Sequence, residues 1–291
     1  MNNSLCAALG DFDGIHSGHV TVIKTAIYES QNMTPAVYTF YQNCKNAPMI
    51  TDAETKKHII SSLGIKQIIF DDFEKIKELS PLSFVRDILY NKYNIKKIVC
   101  GSDFKFGKNA EGDISTMKQI CDDIGIQLIV VDLLQESGKK ISSTDIRRLI
   151  LNGDMKNVNS LLGRNYSITG KVLHGKNLGN KKQAPTVNIT FAENTLVPAY
   201  GVYITRTLIK DKIYNSISNV GVRPSVETTD KPNIETNIFD FDDDIYGECI
   251  TIEFLKMIRH EIKFSDTNEL FKQIHKDISY AKDYFIGENN G

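Results

Sequence analysis

Short apolar runs alternate with segments of helical period over the first half of the chain. Strands are predicted at 5–9, 35–40, 67–70, 95–100 and 126–132, and helices at 20–29, 52–63, 81–93 and 117–124. This alternation predicts a parallel sheet covered by helices on both faces. Thr51 is predicted as the N-cap of the second helix. Because ligands of such α/β sheets bind beyond the carboxyl ends of the strands, a site is expected along that edge.

The pattern changes after about Gly163, where β-type segments follow one another without a long helix between them. These segments lie within 164–191, 202–208, 213–220 and 249–254. They indicate an antiparallel sheet, either a barrel or a sandwich. A final amphipathic segment, 267–285, is predicted to form a helix that packs on this sheet. A short helix at 152–160 is interpreted as a hinge, so the predicted domains span 1–160 and 161–291.

Composition narrows the class of protein. The length of 291 residues suits two domains, and the net charge of −1 gives no global field that attracts nucleic acid. No apolar run approaches the length that spans a membrane, and no secretory signal is recognised at the start. The five cysteines include no Cys-x-x-Cys pair, which argues against a zinc site or a disulfide framework. We therefore expect a cytoplasmic protein with no nucleic-acid or membrane partner, and its oligomeric state stays open.

The stretch from Gly10 to His19 lies between the first predicted strand and the first predicted helix. Gly10 and Gly14 allow the backbone to approach a ligand, while His16 and His19 face one point near the start of the helix. A helix N-terminus attracts phosphate, and two imidazoles there can stabilise charge that develops during phosphate transfer. The alternative is a glycine turn with two incidental histidines.

Three consecutive hydroxyl residues, Ser142, Ser143 and Thr144, open another predicted helix. One hydroxyl is enough for an N-cap, so the surplus, with Arg147 one turn later, favours a cradle for phosphate. The alternative is an ordinary helix N-cap with more hydroxyl groups than it needs.

The second half offers polar candidates on predicted strands. Thr186 and Asn188 are two residues apart and so share one strand face. A hydroxyl and an amide oxygen can coordinate Mg²⁺, which neutralises phosphate charge in transfer reactions. Glu235 could accept a proton from an attacking hydroxyl. Ordinary turns and a solvated acidic run are the alternative.

The chain carries six motifs of note: His16-Ser-Gly-His19, Gly101-Ser-Asp-Phe-Lys-Phe-Gly107, the Ser-Ser-Thr-x-Ile-Arg stretch ending at Arg147, Gly170-Lys-Val-Leu-His-Gly175 with Pro185-Thr-Val-Asn188, Asn219-Val-Gly-Val-Arg-Pro224, and the stretch from Glu235 to Asp242. Taken together, these motifs resemble those of the prokaryotic bifunctional riboflavin kinase/FAD synthetases. The resemblance implies a Rossmann-like nucleotidyltransferase domain, followed by a six-stranded antiparallel β-barrel kinase domain with a C-terminal helix. It implies ATP and Mg²⁺ at both sites, with riboflavin converted to FMN at the second and FMN to FAD at the first.

The resemblance also implies roles for individual residues of the adenylyltransferase domain. His16 and His19 are expected to bind phosphates and stabilise the transition state. The rest of the nucleotide pocket is expected to consist of Gly10, Phe12, Asp13 and Gly14, with Ser142, Ser143, Thr144 and Arg147 on the triphosphate. The flavin is expected near Asp103, Phe104, Phe106 and, in the second half, Arg223.

In the kinase domain, the resemblance implies that Thr186 and Asn188 hold Mg²⁺–ATP and that Glu235 is the base. Gly170, His174 and Gly175 are expected to contact the same ATP. Two stretches depart from the family pattern: 179–184 lacks an arginine, a leucine, a glycine and an aromatic residue, and 41–44 replaces a Pro-His-Pro stretch. These departures leave open an enzyme with only one of the two activities, or a flavin-binding regulatory protein without turnover.

Overall fold

The structure is a computed structural model that describes residues 4–42, 44, 47–132, 135–136, 139–173, 186–222 and 231–289. The chain divides into two compact units, Met1–Ser143 and Thr144–Gly291. The division falls at the start of a helix, whereas the sequence places a domain boundary after residue 160; that boundary stays a prediction.

The first unit is built on a parallel sheet of five strands in the order β3-β2-β1-β4-β5. The strands are β1 (Leu5–Leu9), β2 (Thr34–Phe40), β3 (Gln67–Asp71), β4 (Ile95–Gly101) and β5 (Gln127–Val131). The chain moves outward from β1 to β3 and then returns to β4, so the order reverses between β1 and β4. Ligands of open α/β sheets bind at this reversal, outside the carboxyl ends of the strands.

Helices cover both faces of this sheet, as the alternating pattern predicts. They are α1 (Ser17–Glu29), α2 (Ala53–Ser62), α3 (Phe73–Ile76), α4 (Pro81–Ser83, continued as a π-helix over Phe84–Lys92) and α5 (Ile114–Ile124). Successive residues of β1 enter different hydrophobic cores: Leu5, Ala7 and Leu9 pack on one face, and Cys6 and Ala8 on the other. A central strand buried on both faces reads as a continuous apolar run, which is why β1 is recognisable from sequence.

One helix cap differs from the prediction. The N-cap of α2 is Asp52, whose carboxylate accepts a hydrogen bond from the Thr55 N–H at 2.9 Å. The prediction of Thr51 at this position is therefore wrong. The predicted glycine cap of α5 is confirmed, since Gly125 adopts a left-handed conformation with φ of 75°.

The first unit ends with a short hairpin and the start of the next helix. The hairpin strands are β6 (Gln135–Glu136) and β7 (Lys139–Lys140), and α6 (Ser143–Leu151) begins at the last residue of the unit. α7 (Met155–Leu162) follows in the second unit, in the region of the short helix predicted at 152–160. The interpretation of that helix as a hinge stays a prediction.

The second unit contains a closed antiparallel barrel, which decides between the barrel and sandwich alternatives. Its strand order is β10-β11-β12-β9-β8-β13. The strands are β8 (Tyr166–Leu173), β9 (Thr186–Thr190), β10 (Gly201–Ile209), β11 (Lys212–Val222), β12 (Pro232–Ile238) and β13 (Cys249–His260). The long C-terminal helix α8 (Thr267–Asn289) packs on the barrel through Ala281 and Phe285, which confirms the predicted terminal helix.

An ion pair helps to hold α8 in place. The Arg259 guanidinium on β13 donates to the Asp277 carboxylate at 2.7 and 2.9 Å, and Asp277 is almost fully buried. In the described parts of the chain, no helix has the length and apolarity needed to cross a membrane.

Candidate active sites

The turn between β1 and α1, in the predicted nucleotide pocket, contains left-handed backbone conformations. Phe12, Gly14 and Ile15 have φ values of 49°, 83° and 40°, in the left-handed region that side chains other than glycine rarely adopt. Such conformations cluster at functional sites and persist only where the surroundings enforce them. Gly10 has a separate requirement, because a Cβ there would lie 2.9 Å from the Phe12 ring.

Asp13 stabilises this turn through its side chain and its backbone carbonyl. Its side chain is buried and accepts hydrogen bonds from the backbone N–H groups of Ile50 and Thr51, at 2.9 and 3.2 Å. Its backbone carbonyl accepts a hydrogen bond from the Ser143 hydroxyl at 2.9 Å. Asp13 therefore ties the turn both to the segment before α2 and to the first residue of α6.

His16 and His19 lie together, as their spacing predicts. Their rings stack with centroids 3.7 Å apart and planes 19° from parallel. His16 is the N-cap of α1, where its Nδ1 accepts the His19 backbone N–H at 3.4 Å. Because Nδ1 is the acceptor, the proton of a neutral His16 ring lies on Nε2. The structure thus supports a paired-imidazole donor site at a helix N-terminus.

Two neighbours shape this histidine pair. Phe12 packs edge-on against the His19 ring at a centroid distance of 5.3 Å, but it is 1% exposed and so acts mainly as a packing residue. Gly18, the glycine of the His16-Ser-Gly-His19 motif, allows the His16 ring to fold back over the helix. A Cβ at Gly18 would lie 3.2 Å from that ring.

The predicted triphosphate cradle begins at Ser142 and Ser143, at the end of the first unit. Ser143 opens α6 and is hydrogen-bonded to the carbonyl of Asp13, which brings the start of the helix to the histidine turn. Thr144 and Arg147 follow on α6 within the second unit, where Thr144 is exposed and Arg147 is half-buried. The contacts of Thr144 and Arg147 with a triphosphate stay a prediction.

The predicted flavin residues of the first unit follow β4. Asp103 is exposed, and the rings of Phe104 and Phe106 lie 5.9 Å apart and nearly parallel. Phe106 is 6% exposed and belongs to the hydrophobic core beside Phe84, so packing accounts for its identity. Arg223, the other predicted flavin residue, lies outside the described residues.

A polar cluster at the carboxyl end of β3 was not found from the sequence. The Asp71 carboxylate accepts hydrogen bonds from the hydroxyls of Tyr38 and Tyr93, at 3.0 and 3.1 Å. Burial acts to raise the pKa of Asp71, but the Asp72 backbone N–H, these two hydroxyls and Lys92 together hold that pKa below its usual range. Its partners come from β2 and from the turn after the π-helix, so only the folded chain brings them together.

Three of the predicted kinase residues, Thr186, Asn188 and Glu235, lie on one face of the barrel. Thr186 on β9 donates a hydrogen bond to the Glu235 carboxylate on β12 at 2.6 Å. Asn188 lies directly opposite Glu235 in the β9–β12 ladder and therefore on the same face. The Asn233 amide, which sequence reasoning missed, donates to Asn188 Oδ1 at 2.8 Å.

Gly170 has a structural reason to be glycine. A Cβ at this position of β8 would lie 2.5 Å from the backbone carbonyl oxygen of Thr190, where β9 crosses closely. Its predicted contact with ATP stays a prediction. His174 and Gly175, together with the divergent stretch 179–184, lie outside the described residues.

Comparisons with known proteins match each half of the chain to a family. A model of the FAD synthetase family matches residues 1–145, and a model of the riboflavin kinase family matches residues 162–285. The bifunctional riboflavin kinase/FMN adenylyltransferase of Bacillus subtilis strain 168 is 37% identical, over 96% of this chain and 92% of that protein. The chain belongs to the family of bifunctional riboflavin kinase/FMN adenylyltransferases.

Two further relatives extend the match. The protein of the same description from Buchnera aphidicola subsp. Schizaphis graminum is 35% identical, covering 98% of this chain and 95% of that protein. A solved structure described as a macrolide-efflux protein from Streptococcus pneumoniae has a TM-score of 0.84 and 28% identity, with 97% of each chain covered. That description concerns the Streptococcus protein; the similarity spans both units of this family member.

Whether the kinase unit suits Mg²⁺ can be judged from its donor atoms. Magnesium prefers oxygen ligands and commonly takes only one or two from the protein, with the rest from water and phosphate. The hydroxyl of Thr186 and the amide oxygen of Asn188 are such donors, and they lie beside the Glu235 carboxylate. No group of three or more histidine, cysteine or acidic side chains suited to a metal occurs in the described part of the chain. The two oxygens fit a magnesium ion that takes only one or two of its ligands from the protein.

Proposed function

We propose that this protein phosphorylates riboflavin to FMN in its second unit and adenylylates FMN to FAD in its first, using ATP in both reactions. The observation that carries the proposal is that each unit holds its own reactive cluster. The stacked His16 and His19 lie at a helix N-terminus in the first unit. The hydrogen-bonded Thr186 and Glu235 lie on the barrel of the second unit.

In adenylyl transfer, a phosphate oxygen of FMN attacks the α-phosphorus of ATP and pyrophosphate leaves. Negative charge builds up on the phosphate oxygens as the old bond breaks. The imidazoles of His16 and His19, together with the N-terminus of α1, are suited to donate hydrogen bonds to those oxygens. Ser142, Ser143, Thr144 and Arg147 are proposed to hold the triphosphate, and Asp103, Phe104 and Arg223 to contact the flavin.

In the kinase reaction, the terminal ribityl hydroxyl of riboflavin attacks the γ-phosphorus of ATP and ADP leaves. Glu235 is proposed to accept the proton of that hydroxyl. The Thr186 hydroxyl, 2.6 Å from Glu235 Oε1, orients the carboxylate. Thr186 and Asn188 are proposed to hold Mg²⁺, which supplies charge neutralisation on the transferring phosphate when bound. The cytoplasm is the proposed compartment, since all five cysteines are free thiols.

Product analysis tests the proposal. The purified protein is incubated with ATP and MgCl₂, once with riboflavin and once with FMN, and the flavins are separated by chromatography. FMN and FAD from riboflavin, together with FAD from supplied FMN, are the expected products. FMN from riboflavin without any FAD, or FAD from supplied FMN without any FMN from riboflavin, would show that only one of the two activities is retained. No conversion in either mixture would contradict the proposal and favour a flavin-binding regulatory protein.

A further inference from the structure

Lys56 occupies a position that local rules disfavour for a lysine. It lies in the first turn of α2, where a cation opposes the helix dipole, and only 1% of its surface is exposed. Lysine is almost never fully buried unless its ammonium is paired. A residue that breaks local rules in this way marks a functional or strained site more often than chance does.

The ammonium of Lys56 connects two strand ends. It donates to the backbone carbonyl of Asp11, just after β1, at 2.8 Å, and to that of Phe40, the last residue of β2, at 3.1 Å. The Asp11 carbonyl also accepts the Thr39 hydroxyl at 2.8 Å. The next residue after Asp11 is Phe12, where the strained turn to His16 begins.

The groups that act on the charge of Lys56 lie in this turn and just after β2. Burial lowers the pKa of Lys56, whereas the Asp11 and Asp13 carboxylates and the Cys44 thiol act in the opposite direction. An ammonium held in a poorly solvated place interacts with nearby anions more strongly than one in water. The ammonium of Lys56 lies where β1 and β2 end, next to the turn that carries the histidine pair.

We propose that Lys56 is a positioning residue for adenylyl transfer. Its ammonium ties the carboxyl ends of β1 and β2 together and thereby holds the turn over residues 12–15, and with it His16 and His19, in one geometry. The residue acts through the backbone and does not contact substrate. The inference rests on the proposed adenylyltransferase function of the first unit.

The test compares Lys56→Met, which removes the charge, with Lys56→Arg, which keeps it. Lys57→Met serves as the matched control, because Lys57 is the next residue and is exposed. FAD formation from FMN is measured with kcat and KM for ATP determined separately. Misplacement of a catalytic group by about 1 Å can cost about 10²-fold in rate. We expect kcat to fall about 10²-fold in Lys56→Met, with a smaller change in KM. Lys56→Arg should retain part of the wild-type kcat, and Lys57→Met should have the wild-type kcat.

Thermal unfolding separates positioning from loss of the fold. A Lys56→Met protein that unfolds like the wild type but has the lower kcat supports the inference. If Lys56→Met does not fold, Lys56→Ala is assayed with added n-propylammonium and, as the neutral control, propan-1-ol. Restoration by the amine alone supports the inference, and equal effects of the two additives overturn it.

Two results distinguish this inference from the proposed function. A wild-type protein that makes FAD beside a Lys56→Met variant with the same kcat overturns the inference alone. A wild-type protein that makes no FAD from FMN overturns the proposed adenylyltransferase function and this inference with it.

Discussion

The candidate site of the first unit is built on a turn, whereas that of the second is built on regular strands. In the first, three of the residues 12–15 have left-handed backbone conformations. Buried hydrogen bonds of Asp13 and Lys56 connect this turn to other segments of the unit. In the second, Thr186 and Glu235 project from β9 and β12 where an ordinary antiparallel ladder places them. A turn needs buried support from distant segments to keep its shape, but a strand pair needs only its register.

The largest expected effect comes from the strand-built site. Glu235→Gln keeps the shape of the side chain but removes the base. FMN formation from riboflavin should fall by about 10²–10⁴-fold, the usual contribution of general base catalysis. The measurement is steady-state kinase turnover, with FAD formation from supplied FMN as the control that should persist. Unchanged kinase turnover would leave Glu235 with a structural role only.

The next effect concerns the turn-built site. His19→Ala removes one of the two stacked imidazoles. FAD formation from FMN should fall by about 10²–10³-fold, because a preorganised donor to developing charge is lost. FMN formation from riboflavin should stay at the wild-type rate in the same preparation. A parallel loss of both activities in a folded variant would contradict the model of two separate sites.

A smaller effect is expected from Gly170→Ala, which tests how tightly β8 and β9 must approach. The new Cβ would meet the Thr190 carbonyl oxygen at 2.5 Å. We expect the free energy of unfolding of the second unit to drop by about 1–3 kcal/mol, as overpacking does in a tight site. Denaturant unfolding measures this, and the control is Gly287→Ala in α8, where a Cβ has open space.

In that control, stability should hold or rise slightly, since alanine is the better helix former. A Gly170→Ala protein of wild-type stability but with weakened ATP binding would instead favour the ATP contact that the family resemblance implies.

The smallest expected effect concerns the divergent stretch 179–184. Restoring the family residues together (Asn180→Arg, Lys182→Leu, Gln183→Gly and Ala184→Phe) should raise kinase kcat/KM by about tenfold. The new arginine can grip phosphate with two donors, and a hydrogen bond to a charged group contributes about 1.5–3 kcal/mol. Adenylyl transfer should not change. A lower kinase kcat/KM would show that the present loop has its own compensated geometry.

Much of the fold follows from local periodicity. The apolar run at 5–9 becomes the central strand β1, and the repeated β-type segments after Gly163 become antiparallel strands. The spacing of His16 and His19 correctly predicts that the two rings meet. These features depend on residues two to four positions apart, whose relation is set by helix and strand geometry alone.

Other features depend on the path of the whole chain. Thr51 has the chemistry of an N-cap, yet Asp52 takes that place in α2, while the Thr51 N–H is bound by Asp13 from 38 residues away. Asn233 reaches Asn188 only because β12 pairs with β9. No local pattern distinguishes Asn233 from other polar residues of the chain.

Sequence patterns alone predict the alternation of strands and helices in the first unit, the change from a parallel to an antiparallel architecture, and the residues that carry the family resemblance. The buried groups that hold those residues in place, such as Asp13 and Lys56 beside the histidine turn, can be recognised only in the folded chain. The reason is the separation of the interacting residues along the chain. Periodicity records neighbours within a turn of helix or a step of strand, whereas Lys56 and Asp11, 45 residues apart, become neighbours only when β1, β2 and α2 pack together.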